Sequence, residues 1–530
     1  MENASFVTSP DEVCAPHPMK GRVLLSGMTA APACRPLRFP ALIVFISNTC
    51  LMVLELVAGR LMAPYLGVSL YTWTSIIGVI LAGITVGNYL GGHLADRAGS
   101  RRVLGLIFLA CAASSLAILP ANRFMAENLI LPGAPVELRI ILITAAIFLL
   151  PSLLLGLISP VVVKLSLATL DRAGNVVGRI YAAGAAGSIL GTFTTGFYLV
   201  ALFGTHAIVL GVAALLAGLG LIVGDGWRRP RWLLVVGLLA LGASTGLVRA
   251  NLLRADCLRE SNYFCIKVRE EEKDGVHYRA LVLDRLVHSW VDPHDPQNLG
   301  YGYEVIYRDV MQRWTATHAI QGPRTLFIGG GGYTFPRYVR AVYNGGVVHV
   351  VEIDPAVTET VYETLSLPRN TTIHTFNQDA RHFLNELPAD TRYDFIFGDA
   401  FNDFSVPYHL TTREFASQVR AHLAPDGLYL VNIIDGRHGL FLRAFVRTLQ
   451  SVFPHVAVST DSDNWRTVQR YTFVLVASEQ PLDDLYQHTG NFLSPDELQR
   501  YLDEAPSLIL TDDHVPVDNL LAPVYRESGF

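Results

Sequence analysis

Charge is scarce in this 530-residue chain. Only 16% of residues are Asp, Glu, Lys or Arg, against about 25% in ordinary soluble domains. The shortage is uneven. Long apolar runs dominate up to Arg249, and ordinary polarity follows. Nor is there an excess of positive charge: 41 Lys and Arg against 46 Asp and Glu give a net charge of −5. That argues against a general nucleic-acid binder, which needs a basic face. Cysteine is sparse too. Cys14, Cys34, Cys50, Cys111, Cys257 and Cys265 form no CxxC pair and no Cys/His cluster, so no metal is expected. A cleaved signal peptide is not expected either: Lys20, Arg22, Arg35 and Arg38 precede a first apolar run that is long and is followed by more.

What fills the first half is hydrophobic length. A spanning helix needs about 20 apolar residues. Seven candidates meet that within residues 41–249: 41–63, 72–92, 103–120, 138–163, 180–202, 206–225 and 232–249. None shows the polar face of a soluble surface helix. The expected class is an α-helical transmembrane bundle, in contact with a lipid bilayer, behind a tail at 1–40. Arg97, Arg101 and Arg102, then Lys164, Arg172 and Arg179, then Arg228, Arg229 and Arg231, fall in alternate loops. Those loops and the tail are assigned to the cytoplasm. Gly184, Gly187, Gly191 and Gly196 read as a ladder for close helix packing. The stretch from Gly92 to Arg102, GHLADRAGSRR, resembles the loop between the second and third spans of major facilitator transporters.

The second half changes period. Phe264–Val268 and Tyr278–Leu283 read as strands of a β-rich subdomain, and Tyr303–Thr315 as a helix, within 255–320. In 321–530 strands alternate with helices: 325–328, 347–351, 372–376, 395–397 and 428–431. That predicts a doubly wound, largely parallel, Rossmann-like sheet with its chemistry at the carboxyl ends of the strands. Gly329, Gly330 and Gly331 follow the first strand, where bare backbone lets a ligand approach a helix N-terminus. Glu352 ends the second strand, placed to accept ribose hydroxyls. Asp379 follows the third and Asp399 the fourth. Helix N-capping is the alternative use of such acids.

These blocks resemble the spermidine synthase family of polyamine aminopropyltransferases, whose fold is like that of S-adenosylmethionine methyltransferases. The resemblance rests on Leu281-Val282-Leu283-Asp284, Tyr303-Glu304, the glycine loop, Val351-Glu352-Ile353-Asp354, Asp379-Ala380-Arg381, Tyr393 to Asp399 and Leu410 to Phe415. The whole chain is similar to bacterial fusions of a transporter-like segment with such a domain. The resemblance implies decarboxylated S-adenosylmethionine as co-substrate and a polyamine acceptor. It implies Asp399 as proton acceptor, Glu352 at the ribose and Asp379 with Ala380 at the adenine. It places Tyr303 near the amine. Small-molecule nucleoside and amine are thus the expected partners, no nucleic acid is, and a homodimer is common in the family. There are departures. The loop acid that would hold the nucleoside's amino group is replaced by Gly332 or Tyr333. Asn402 stands where a second Asp is usual, with Asp403 one further on. His288 replaces a glutamine. Those losses keep two other readings open: an S-adenosylmethionine-dependent methyltransferase, and a non-catalytic polyamine sensor or transport-associated protein. His409 and Arg381 also lie near the expected site.

Seven spans behind a cytoplasmic tail put the second half on the non-cytoplasmic face of a multi-pass inner-membrane protein. Substrate supply argues for the cytoplasmic side. Cys257 and Cys265 are eight apart and are either a disulfide of an oxidising compartment or two unrelated thiols.

Overall fold

The computed structural model describes residues 37–128, 135–167, 173–225, 257–273, 275–400, 406–460, 463–488 and 492–527. The chain divides into two compact units: Met1–Met62 with Tyr71–Ala255, and Ala63–Leu70 with Asp256–Phe530.

The first unit is helical. Among the described residues, five helices are long and apolar enough to cross a membrane: Pro40–Leu66, Leu70–Ala98, Arg101–Met125, Glu137–Ser166 and Ala173–Val223. The sequence led us to expect seven. The fifth and sixth candidates join in the last helix, whose 51 residues would run about 75 Å if straight, far beyond a hydrocarbon core of about 30 Å. Gly204 breaks it, with φ 71° and ψ 162°. The seventh candidate, 232–249, lies outside the described residues. The glycine ladder packs as expected at three rungs. A side chain at Gly187 would sit 2.1 Å from the Phe45 carbonyl and one at Gly191 would sit 2.6 Å from that of Thr49, while Gly184 faces Val44 and Asn48. Thr49 Oγ1 donates across the seam to the Gly187 carbonyl at 3.0 Å. Gly196, the expected fourth rung, has no neighbour within 4 Å and is not part of the seam. The Gly92–Arg102 stretch ties span ends together: Asp96 pairs with Lys164 at 2.8 Å, and Arg101 reaches the Val223 carbonyl at 3.2 Å and Asp225 at 3.4 Å.

The second unit holds two sheets. The smaller is an antiparallel meander of β1 (Arg259–Glu260), β2 (Cys265–Lys273), β3 (Val276–Leu283) and β4 (Leu286–Val291). Cys257 and Cys265 are disulfide-bonded, with Cα atoms 5.3 Å apart. On the chain-entropy view, closing so short a loop stabilises by about 2–3 kcal/mol. The larger sheet contains β5 (Arg324–Ile328), β6 (Val347–Val351), β7 (Ile373–Phe376), β8 (Tyr393–Gly398), β9 (Leu423–Asp435), β10 (His455–Ser459) and β11 (Tyr471–Ser478), in the order β10-β11-β9-β8-β5-β6-β7. All pairings from β7 to β9 are parallel, and β11 alone runs against its neighbours. This is the Rossmann-like, methyltransferase-like order. Its apolar strands carry Phe327, Val350, Phe395, Phe397 and Leu430 into a core shared with Tyr307, Met311 and Trp314 of the helix Gly302–Thr317. The strand order reverses between β5 and β8. That switch point opens a crevice at the carboxyl ends of the two strands.

Candidate functional site

The sheet's backbone ladder continues one residue past the ends of its strands. Asp399 N donates to Ile328 O (2.9 Å), Gly329 N to Val351 O (2.8 Å) and Glu352 N to Phe376 O (3.0 Å). Asp399, Gly329 and Glu352 therefore stand side by side at interstrand spacing, about 4.8 Å apart. Glycine is required at the central place. Gly329 has φ +95°, and a Cβ there would lie 2.3 Å from the Asp399 carbonyl. Gly331 is also left-handed, at φ +49°.

Asp399 is the centre of the crevice. Its Oδ2 accepts from the Tyr303 hydroxyl at 2.9 Å and its Oδ1 from Asn432 Nδ2 at 2.9 Å. Burial raises its pKa above the usual carboxylate range, and these two donors partly oppose the rise. Each carboxylate oxygen keeps a second lone pair, so the group can still accept from a ligand. Glu304 lies one residue beyond Tyr303 and is 3% exposed. Burial first, then the Asp399 charge, push it up to about 8. An aromatic row leads away from Asp399: Tyr303 to Tyr301 at 5.4 Å, then Tyr301 on Trp290 at 4.5 Å.

Glu352 is 6% exposed. Its Oε2 accepts from Gly330 N at 2.8 Å and its Oε1 from Asp354 N at 2.9 Å. Burial raises its pKa against those backbone donors. Asp379 caps the helix Ala380–Glu386, accepting from Arg381 N (2.9 Å) and His382 N (3.1 Å). Its other oxygen accepts from His409 Nε2 at 2.7 Å. Burial alone would raise its pKa, but the His409 hydrogen bond and the helix donors win and lower it. Ala380 is buried as the first residue of that helix. Asp379 is thus both a cap and part of a carboxylate–histidine pair.

The replaced loop acid has a structural explanation. Gly332 N donates to Ser289 Oγ at 2.7 Å, and a Cβ on Gly332 would lie 2.6 Å from that of Ser289. Tyr333 turns inward, fully buried, with its hydroxyl on Thr358 (3.2 Å) and Thr375 (3.1 Å). Neither position offers a carboxylate, and neither has room for one as packed. His288 is half-buried on β4, its ring 6.5 Å from Phe264. Arg381 is spent on Asp512, which it grips through both terminal nitrogens. Asn402 and Asp403 lie outside the described residues. Two residues escaped the sequence reading. Asn432 and Ser289 are visible at the site only once β9, the helix Gly302–Thr317 and β4 meet, while Glu304 stood in the Tyr303-Glu304 block with no role attached. The one hint was an asparagine inside the apolar run Leu428 to Ile434.

No family model matches the chain. Curated proteins do. A probable polyamine aminopropyl transferase of Bifidobacterium longum is 28% identical over 220 residues, 37% of this chain and 48% of that protein. A polyamine aminopropyltransferase of Vibrio vulnificus is 36% identical over 112 residues, 21% of this chain and 37% of that protein. Over its C-terminal portion this chain is similar to polyamine aminopropyltransferases. An N-terminal histidine N-methyltransferase of Emericella nidulans is also similar, 35% identical over 138 residues, 25% of this chain and 24% of that protein. The chain spans about half the length, or less, of these curated relatives.

Proposed function

We propose that the second unit is an aminopropyltransferase. It would move an aminopropyl group from decarboxylated S-adenosylmethionine to a polyamine acceptor, and the first unit would anchor it in a bilayer as a multi-pass protein. The observation that carries this reading is Asp399. It is a half-buried carboxylate at the switch point, beside the glycine turn, with hydrogen-bond donors holding both of its oxygens in place.

The chemistry follows from charge. An alkylamine has a pKa near 10 and is an unreactive ammonium at neutral pH. Asp399 takes its proton while Tyr303 and Asn432 hold the carboxylate still. The freed nitrogen pair attacks the carbon beside the sulfonium. A C–N bond forms, the C–S bond breaks, and its electron pair returns to sulfur as a neutral thioether. The raised pKa of Asp399 narrows the gap between acceptor and donor of the proton. In this reading Glu352 accepts the ribose hydroxyls with its remaining lone pairs. The backbone at Gly330 and Gly331 lies under the ribose, Asp379 and Ala380 meet the adenine, and Tyr303 flanks the acceptor amine.

A second reading has an observation of its own. The glycine loop carries no acid for a ligand amino group, and part of the chain is similar to a histidine N-methyltransferase. Under that reading the donor is S-adenosylmethionine and a methyl group moves. Full-length protein in detergent, given each sulfonium with a diamine, separates the two. Methylthioadenosine as product supports the first reading, and S-adenosylhomocysteine the second. Asp399→Asn is expected to lower aminopropyl transfer by about 10²–10⁴-fold, with nucleoside affinity changed only a few-fold. Unchanged turnover in that variant removes Asp399 from its role. No turnover of either donor by the wild type overturns both readings and leaves a sensor or a transport-associated protein; the major facilitator-like loop would fit the latter.

A further inference from the structure

The hairpin closed by the Cys257–Cys265 disulfide has no part in the mechanism above, yet it is built against the acids of the site. β1 and β2 pair antiparallel, Arg259 opposite Ile266 and Glu260 opposite Cys265. The turn between them is organised by one buried side chain. Ser261 Oγ accepts from Tyr263 N (3.0 Å) and Phe264 N (2.9 Å) and donates to Asp354 Oδ2. Asp354 is 1% exposed and caps the helix Pro355–Thr364. It sits two residues after Glu352, whose carboxylate accepts its backbone N–H. The turn is therefore docked on the end of β6, where the ribose ligand of the proposed function stands. At its tip Tyr263 keeps 41% of its surface exposed. Burial first, then the charges of Asp354, Asp379 and Glu352, raise the pKa of its hydroxyl.

We propose that this stapled hairpin is a wall of the nucleoside site, that the Tyr263 ring packs against the bound nucleoside, and that the Cys257–Cys265 bond holds it there. The inference rests on the nucleoside reading of the site. An aromatic face half open to solvent, beside carboxylates suited to ribose and adenine amino groups, is what a flat base stacks on. The bridge contributes by preorganisation: a turn already ordered costs no entropy to order on binding. Reduction by a dithiol would transfer two electrons and two protons, breaking the S–S bond to two thiols while the dithiol closes to its own disulfide. The turn would then be held by Ser261 and the short β1–β2 pairing alone.

The test measures methylthioadenosine binding to the full chain in detergent. Tyr263→Ala is expected to weaken it at least about tenfold, and Tyr263→Phe to leave it within about threefold. Dithiothreitol is expected to weaken wild-type binding several-fold. It should act much less on Tyr263→Ala, and not at all on the Cys257→Ser/Cys265→Ser double variant. Coupling between the staple and the ring is what a merely structural disulfide would not produce. Equal binding by wild type and Tyr263→Ala, or equal loss on reduction in both, overturns the inference and leaves the nucleoside site standing. Failure of the wild type to bind any adenine nucleoside overturns the proposed function instead.

Discussion

Replacing Glu304 by glutamine should flatten the pH dependence of stability. Glu304 is 3% exposed and its pKa rises from 4.5 to about 8. Burial is the larger cause and the Asp399 charge the second, while Tyr301 N, which donates to the carboxylate at 3.3 Å, does not cancel them. Between those two values the folded protein holds a proton that the unfolded chain has lost. Stability therefore falls as pH rises from 4.5 to 8 and levels off above. The ceiling on that loss is 3.5 pKa units at 1.36 kcal/mol each, about 5 kcal/mol. Relaxation round a new buried anion will make the real loss smaller. For a unit of this size each kcal/mol moves the melting temperature by about 2–4 °C. Glutamine keeps the shape and can still accept from Tyr301 N, but it never ionises. Melting of the full chain in detergent, followed by tryptophan fluorescence, should therefore give nearly equal midpoints for the two proteins at pH 5. At pH 9 the variant should melt higher by at least about 5 °C. Parallel curves across that range would refute the electrostatic account of the Glu304–Asp399 pair.

Two further substitutions probe the supports of the site. Asn432→Leu removes the donor on Asp399 Oδ1 and one of the two groups that oppose the burial-driven rise in pKa. The acidic limb of the pH–rate profile for aminopropyl transfer should move upward, with kcat falling more than nucleoside affinity. An unmoved limb would show that Asn432 does not tune Asp399. Gly332→Asp restores an acid to the loop, but its Cβ would lie 2.6 Å from that of Ser289 and 2.8 Å from Val291 Cγ2. Alone it should lower the melting temperature and abolish nucleoside binding. Paired with Ser289→Gly it should recover part of both losses, and additive effects in the double variant would sink that packing argument.

Legibility followed physical scale. The parallel strands β5, β6 and β8 were visible as short apolar runs, each ended by glycine or an acid, and the edge strand β7 by its place before Asp379. A buried parallel strand needs apolar residues on both faces, and its C-terminal end is where polar groups can emerge. Asp399, Glu352 and the glycines were legible for the same reason: their place at strand ends is a local property. β4, β10 and β11 were not singled out. In β4 the order His288-Ser289-Trp290 breaks alternation because Ser289 faces the glycine loop rather than plain core. Asn432 was hidden because β9 runs 13 residues and passes the site mid-strand, so no turn marks it. His409 was placed near the expected site without a partner. Its use as a partner of Asp379 depends on a 3₁₀ turn at Tyr408–Leu410 that spacing alone does not reveal. In the helical unit apolar length marked the helices well: the fifth and sixth candidates, 180–202 and 206–225, meet at the break in φ and ψ at Gly204, where Thr205 and His206 interrupt the apolar run.

Under the proposed function the missing loop acid and the surviving acids pull the donor's identity in opposite directions, with effects of similar size per group, and the surviving acids are several. The decarboxylated sulfonium carries an ammonium and no carboxylate, so it is one unit more positive than its parent. Asp399, Glu352, Asp379 and Asp354 crowd the strand ends, whereas Arg381, the arginine nearest in sequence to Asp379, is tied to Asp512. One unit of ligand charge about 8 Å from one carboxylate, at an effective dielectric near 20, is worth about 2 kcal/mol, roughly a 30-fold preference. A single lost hydrogen bond to a charged group costs about 1.5–3 kcal/mol and weakens the grip on the amino end. It leaves the surrounding field unchanged, because a ligand carboxylate would still meet like charge from the remaining acids. The altered loop therefore argues for a weaker hold on the same cationic donor more than for a change of donor.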